Sequence, residues 1–120
     1  MREKILVVDD SSFARMVVAK CVHMARRDSN VVQAADGAQA LDILKKGGVD
    51  LVVADLNMPV MDGRGLLRRI KASASLSNTP VIIVSSLVNS ETVTALMGAG
   101  ALAVLRKPVR PADLARALAA

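Results

Sequence analysis

Four short apolar runs in this chain each end on residues that can do chemistry: Asp9-Asp10, Asp55, Ser85 and Lys107. Three carboxylates brought together repel one another, which raises their pKa values or calls for a cation. An all-oxygen ligand set with no His or Cys beside it favours Mg²⁺, with Mn²⁺ as the other choice, over zinc. Lys107 supplies a point charge suited to a phosphate or a carboxylate oxygen, and Ser85 supplies a hydroxyl that can donate to a phosphoryl oxygen. A carboxylate nucleophile, a hard cation, an ammonium and a hydroxyl together suit phosphoryl transfer. Taken singly, each has a plainer use. An Asp after a strand caps a helix or shapes a turn, a Ser does the same, and a lone Lys is solvated. Their joint placement at four run ends favours the chemical reading.

That reading needs a fold that gathers distant residues. Lys4-Ile5-Leu6-Val7-Val8 is short, apolar and β-branched, which suits a strand buried on both faces. Ser11 and Ser12 offer an N-cap, and Phe13, Met16, Val17, Cys21 and Met24 then recur at helical spacing as an apolar stripe. Asn30 to Ala34 reads as a second strand. Ala40, Leu41 and Leu44 mark the inner face of a second helix, stopped by Gly47-Gly48. Leu51 to Ala54 forms a third strand, followed by a loop with Pro59 and Gly63 and a helix with Leu66, Leu67 and Ile70 inward. Val81 to Val84 is the fourth strand, and Val93, Leu96 and Met97 lie on the fourth helix. Ala103 to Arg106 is the fifth strand, and Pro111 opens a last helix with Leu114 and Leu118 inward. Such alternation predicts a parallel sheet with helices on both faces. Ligands in such sheets bind outside the carboxyl ends of the strands, where all four polar positions fall.

Composition narrows the class. At 120 residues the chain reads as one domain, 1–120, with a core of Val, Leu, Ile, Met and Ala and a single Phe. The uncharged stretch Ala72 to Ser90 is broken by Ser, Asn, Thr and Pro, so no membrane insertion is expected. The net charge of +5 is spread over several helices, with its densest group at Arg64, Arg68, Arg69 and Lys71. No aromatic residues accompany that group to stack on bases, so direct nucleic-acid binding is not expected. One cysteine and no secretory signal point to the reducing cytoplasm. No glycine-rich phosphate loop ending in Gly-Lys-Ser/Thr is present, which excludes that class of nucleotide enzyme. Cys21 is read as a small core residue, and His23 as a structural or surface residue.

The segments Ile5 to Ser11, Asp36-Gly37 with Ala40-Leu41, Asp55-Leu56-Asn57-Met58-Pro59-Val60-Met61-Asp62-Gly63, Val84-Ser85 and Lys107-Pro108 occur in an order that resembles the receiver domain of bacterial two-component response regulators. The resemblance covers essentially the whole chain. It implies a flavodoxin-like, doubly wound five-stranded parallel sheet of order 2-1-3-4-5 with five helices in three layers. It implies that Asp55 accepts a phosphoryl group from the phosphohistidine of a histidine kinase or phosphotransfer protein. Asp10, Asp55 and the backbone carbonyl of Asn57 would hold Mg²⁺, with Asp9 acting through a water. Lys107 would contact the phosphoryl group and Ser85 would move toward it. The Lys107-Pro108 bond is expected to be cis. The switch would be read by an output protein or domain on the face of the fourth helix, fifth strand and fifth helix, here including Val93, Leu96, Val104 and Arg106.

Two positions depart from the family pattern. Val104 stands where Tyr or Phe is usual, so no ring can swing to report the serine's movement, and Val109 replaces a common Phe. Asn57 could orient an attacking water, whereas Leu87 cannot hydrogen-bond, so these two neighbours pull the phosphoryl lifetime in opposite directions. The chain reads as a switch rather than an enzyme, assisting only its own phosphorylation and dephosphorylation. It suits a single-domain regulator or a receiver cut from a longer protein. An aspartyl-nucleophile phosphohydrolase would need a cap insertion and an acid two residues after Asp55, and neither is present. A pseudo-receiver regulated without phosphate would not require the intact Asp9, Asp10, Asp55, Ser85 and Lys107.

Overall fold

The computed structural model describes residues 2–119. Strands β1 (Lys4–Val8), β2 (Asn30–Ala34), β3 (Leu51–Asp55), β4 (Val81–Ser85) and β5 (Ala103–Arg106) alternate with helices α1 (Ser12–Ala25), α2 (Gly37–Lys45), α3 (Gly63–Ala72), α4 (Ser90–Gly98) and α5 (Pro111–Ala119). The sheet has the order β2-β1-β3-β4-β5, and every pairing is parallel. Val8 lies opposite Ala54, and Asp55 opposite Val84, so the carboxyl ends of β1, β3 and β4 form one edge.

Strand side chains alternate between two cores, as the two-residue period requires. Leu6, Val8, Val52, Ala54, Val81 and Ile83 pack with Ala40 and Leu44 of α2, Leu66, Leu67 and Ile70 of α3, and Leu96 of α4. Ile5, Val7, Leu51, Val53, Ile82 and Val84 face the other way, against Val18, Ala19 and Val22 of α1 and Leu114 of α5. The result is three layers in the expected flavodoxin-like arrangement. Four helices begin on a side-chain cap: Ser11, Asp36, Asp62 and Asn89 each accept from the backbone N–H three residues on.

The apolar stripe on α1 differs from the sequence expectation. Phe13, Met16, Val17 and Met24 are exposed, Phe13 by 71%, while Val18, Ala19 and Val22 are buried. Two apolar stripes at helical spacing overlap in this segment, and periodicity cannot choose between them. Packing against the sheet and α5 selects the one with smaller side chains. Cys21 is half-buried at the edge of that core and donates its thiol to the Val109 carbonyl at 3.2 Å. Burial, followed by the nearby Asp113 carboxylate, pushes the thiol pKa up, so it stays protonated as that donor. His23 lies exposed on α1.

Val60, in the loop between β3 and α3, has φ of 69° and is wholly exposed. A β-branched side chain is strained in this left-handed region, where glycine is not. Val60→Gly should therefore raise stability by about 1 kcal/mol, read as a shift in the urea midpoint at unchanged slope. An unchanged or lowered midpoint would show that the Val60 backbone carries no strain.

Candidate phosphoryl-transfer site

The register carries Asp9, Asp55, Ser85 and Lys107 to the same edge. Asp9, Asp10 and Asp55 each offer a carboxylate oxygen, and these oxygens lie within 4.8 Å of one another. Asp9 and Asp55 are buried and Asp10 is exposed, so the cluster opens to solvent through Asp10. The Lys107 Nζ reaches between the buried pair, 3.0 Å from Asp9 Oδ2 and 3.0 Å from Asp55 Oδ1. Burial pushes the Asp55 carboxyl up; the Lys107 ammonium opposes this, and Asp9 and Asp10 add to the rise. Burial works against the Lys107 charge, but its bonds to Asp55 and Asp9 outweigh that and hold its pKa above the usual lysine value.

Asp9 is fixed from three sides. Its Oδ1 accepts from the Ser11 N–H at 3.0 Å, its Oδ2 accepts from Lys107, and its carbonyl accepts from Arg15 Nη1 at 2.8 Å. Arg15 also donates from Nε to Gln33 at 3.0 Å, which ties α1 to β2 beneath the site. The sequence reading omitted Arg15. Its place one turn into a helix that starts at the site was the available signal.

Ser85 is completely buried. Its hydroxyl donates to the Leu87 carbonyl at 3.0 Å and accepts from the Leu87 N–H at 3.3 Å, so it is engaged within its own loop. The Lys107 N–H donates to the Ser85 carbonyl at 2.8 Å, which couples the ends of β4 and β5. The Lys107–Pro108 bond is cis. Asn57 is exposed in the loop that follows Asp55, and Leu87 is exposed beside Ser85.

On the expected output face, Val93 and Val104 are half-buried and Arg106 is exposed. Leu96 is not on that face: it is fully buried, because α4 turns it inward onto Ile83 and its neighbours in the core. Met97, one residue on, is the exposed large apolar side chain of α4.

The donor set can be tested against a hard divalent ion on charge alone. With all groups ionised, three carboxylates and one ammonium leave the cluster at −2, and each ligand atom is oxygen. Asp10 forms no ion pair or hydrogen bond among the described residues. Charge, donor type and the open third carboxylate fit Mg²⁺ or Mn²⁺.

The family description "response regulator receiver domain" matches residues 5–119. The chain belongs to this family. The receiver domain is 39% identical over 114 residues to the chemotaxis protein CheY-3 of Vibrio cholerae, covering 92% of this chain and 85% of that protein. It is 37% identical over 115 residues to the two-component response regulator ORR6 of Oryza sativa, covering 93% of this chain and 66% of the rice protein, just under two thirds. Among solved structures, CheY4 of Vibrio cholerae matches with a TM-score of 0.88 at 30% identity, covering 99% of this chain and 98% of the other. The signal receiver domain of a signal transduction histidine kinase from Syntrophus aciditrophicus matches with a TM-score of 0.82 at 27% identity, covering 98% and 90%. Receivers like this one thus occur as chemotaxis proteins, within a kinase and in a plant, so the family is not confined to bacteria.

Proposed function

We propose that this receiver domain is a switch operated by phosphorylation of Asp55. The observation that carries this is the Lys107 ammonium held 3.0 Å from Asp55 Oδ1 at the edge where Asp9, Asp10 and Asp55 cluster. The free Asp55 oxygen attacks the phosphorus of a partner's phosphohistidine. The P–N bond breaks, a P–O bond forms, and the imidazole leaves as a neutral group after taking a proton. Asp10, Asp55 and the Asn57 carbonyl would hold Mg²⁺, with Asp9 acting through water. The bound ion would neutralise the cluster and the incoming phosphoryl oxygens. Lys107 exchanges part of its contact with Asp55 for a phosphoryl oxygen. Ser85 gives up Leu87 to donate to another, and the β4–α4 loop follows.

The donor is a histidine kinase or phosphotransfer protein. Exposed Phe13 and Pro108, which share a cleft with Lys107, and exposed Leu87, bonded to Ser85, support a partner that covers the site with an apolar surface. The output surface is the α4–β5–α5 face, with Val93, Val104, Arg106 and Met97 in place of Leu96. Since Val104 has no ring to rotate, the signal passes through backbone and helix position. The chain acts as domain 1–120, alone or within a longer protein, in the cytoplasm.

Lys107→Met tests the role of the ammonium. It removes the charge while keeping much of the stem, and phosphorylation from acetyl phosphate should slow by roughly 10²-fold, as expected when one preorganised donor to a developing anion is lost. The variant should leave Asp55 as the only acceptor. A rate within twofold of the parent would remove Lys107 from the chemistry.

A further inference from the structure

Two features at the start of α3 carry a local cost, and a group of exposed arginines lies beside them. Val60 is wholly exposed in a left-handed conformation. Gly65 lies inside a helix, where glycine is unfavourable, although a Cβ there would meet only Met61 Cγ at 3.4 Å and Asp62 Oδ1 at 3.5 Å. Arg64, Arg68 and Arg69 are exposed and make no ion pair or side-chain hydrogen bond among the described residues, as is also true of Arg27 and Arg106, but only here do such arginines cluster on one helix. These features meet. Met58, Val60, Met61, Gly65, Arg68 and Arg69 line one cleft of about 560 Å³, and Arg64 lies one turn before Arg68. Asp62 also borders the cleft, its Oδ1 accepting from the Gly65 N–H at 2.8 Å as the α3 cap, so the lining carries two arginines against one carboxylate.

We propose that this cleft docks an acidic amphipathic helical segment of another protein, at a second surface apart from the α4–β5–α5 face. Met61 and Val60, with the buried Met58 beneath them, give a lining of mixed polarity an apolar part that adapts to the side chains laid on it. The missing side chain at Gly65 leaves room for an approaching helix. Arg68 and Arg69 at the rim, with Arg64 one turn away, are complementary to carboxylates on the polar side of that helix. The charge argues for an acidic partner, and Val60 and Met61 beside the arginines argue for protein side chains. A nucleic acid would want aromatic platforms, and the only Phe of the chain, Phe13, is on α1. A flat anionic membrane would not fill the cleft between the loop and the helix.

The test is a ¹⁵N spectral titration of the whole chain with a synthetic helical peptide of about 16 residues, Leu and Ala on one face and Glu on the other. Its counterpart has Lys in place of Glu. The acidic peptide should shift resonances between Met58 and Ala72, the basic one should not, and about 0.3 M NaCl should weaken binding several-fold. Arg68→Glu with Arg69→Glu should weaken it at least tenfold, by reversing the rim. Gly65→Leu should do the same by filling the cleft, while Gly65→Ala should keep most of the binding. If Gly65→Leu fails to fold, the arginine pair alone decides. Three results would overturn the proposal: no localised shifts up to about 1 mM peptide, equal binding by the arginine variant, or anionic phosphatidylserine vesicles shifting these residues while the peptide does not.

Discussion

Gly63→Ala should destabilise this receiver domain by about 2–3 kcal/mol and lower its melting temperature by roughly 10 °C. A Cβ at Gly63 would stand 2.5 Å from the Asp55 carbonyl oxygen and 2.9 Å from Leu56 Cα. Both are backbone atoms, so no side chain can rotate away to make room. The Gly63 N–H also donates to the Leu56 carbonyl at 2.8 Å, which pins the start of α3 against the end of β3. The strain falls on the segment that presents Asp55, so phosphorylation should slow along with the loss of stability. Gly65→Ala is the matched control. Its Cβ meets nothing closer than 3.4 Å, and replacing a helical glycine there should leave stability unchanged or raise it by up to about 1 kcal/mol. Equal melting temperatures for the two variants would show that the close approach at Gly63 is relieved at no cost.

Mg²⁺ should raise the melting temperature by about 10 °C at a hundredfold excess over its dissociation constant. Binding to the native state alone contributes about 2.7 kcal/mol at that excess, and a domain of this size shifts by a few degrees per kcal/mol. The reason is electrostatic. One ammonium cannot balance three carboxylates whose oxygens lie within 4.8 Å, and Asp10 has no partner among the described residues. Asp10→Asn and Asp55→Asn should each remove most of the shift, because each deletes a charge and a ligand. Asp113→Asn should leave it intact, since that carboxylate is occupied with Arg110, just before α5, and Arg116 on α5. A melting curve that ignores Mg²⁺ in the parent would contradict the metal assignment.

The fold was legible because the chain alternates so regularly. Four of the five strands carry a run of three or four apolar residues followed by a polar terminus, which marks the edge where a parallel sheet gathers its ligands. Asp9, Asp55, Ser85 and Lys107 could be placed together on that ground alone. The order of the strands needed the family resemblance, since alternation does not say which strand neighbours which. Side-chain direction was less legible. On α1, Val17 and Val18 are adjacent and belong to different stripes, and only the packing of Val18 and Val22 on the sheet decides which is inward. On α4, Leu96 and Met97 pose the same problem, and the core takes Leu96. The locking of Asp9 by Arg15, the turn of the Ser85 hydroxyl toward Leu87, and the left-handed backbone at Val60 depend on contacts that no local pattern encodes.

The central claim rests on one carboxylate. The most direct measurement is the intact mass of the parent and of Asp55→Asn after incubation with acetyl phosphate and Mg²⁺, followed by peptide mapping of the modified product. One added phosphoryl group in the parent, located on the peptide containing Asp55 and lacking in the variant, is the predicted result. A parent that gains no phosphoryl group from this donor or from any histidine kinase, or a variant that gains it as readily, would contradict the account.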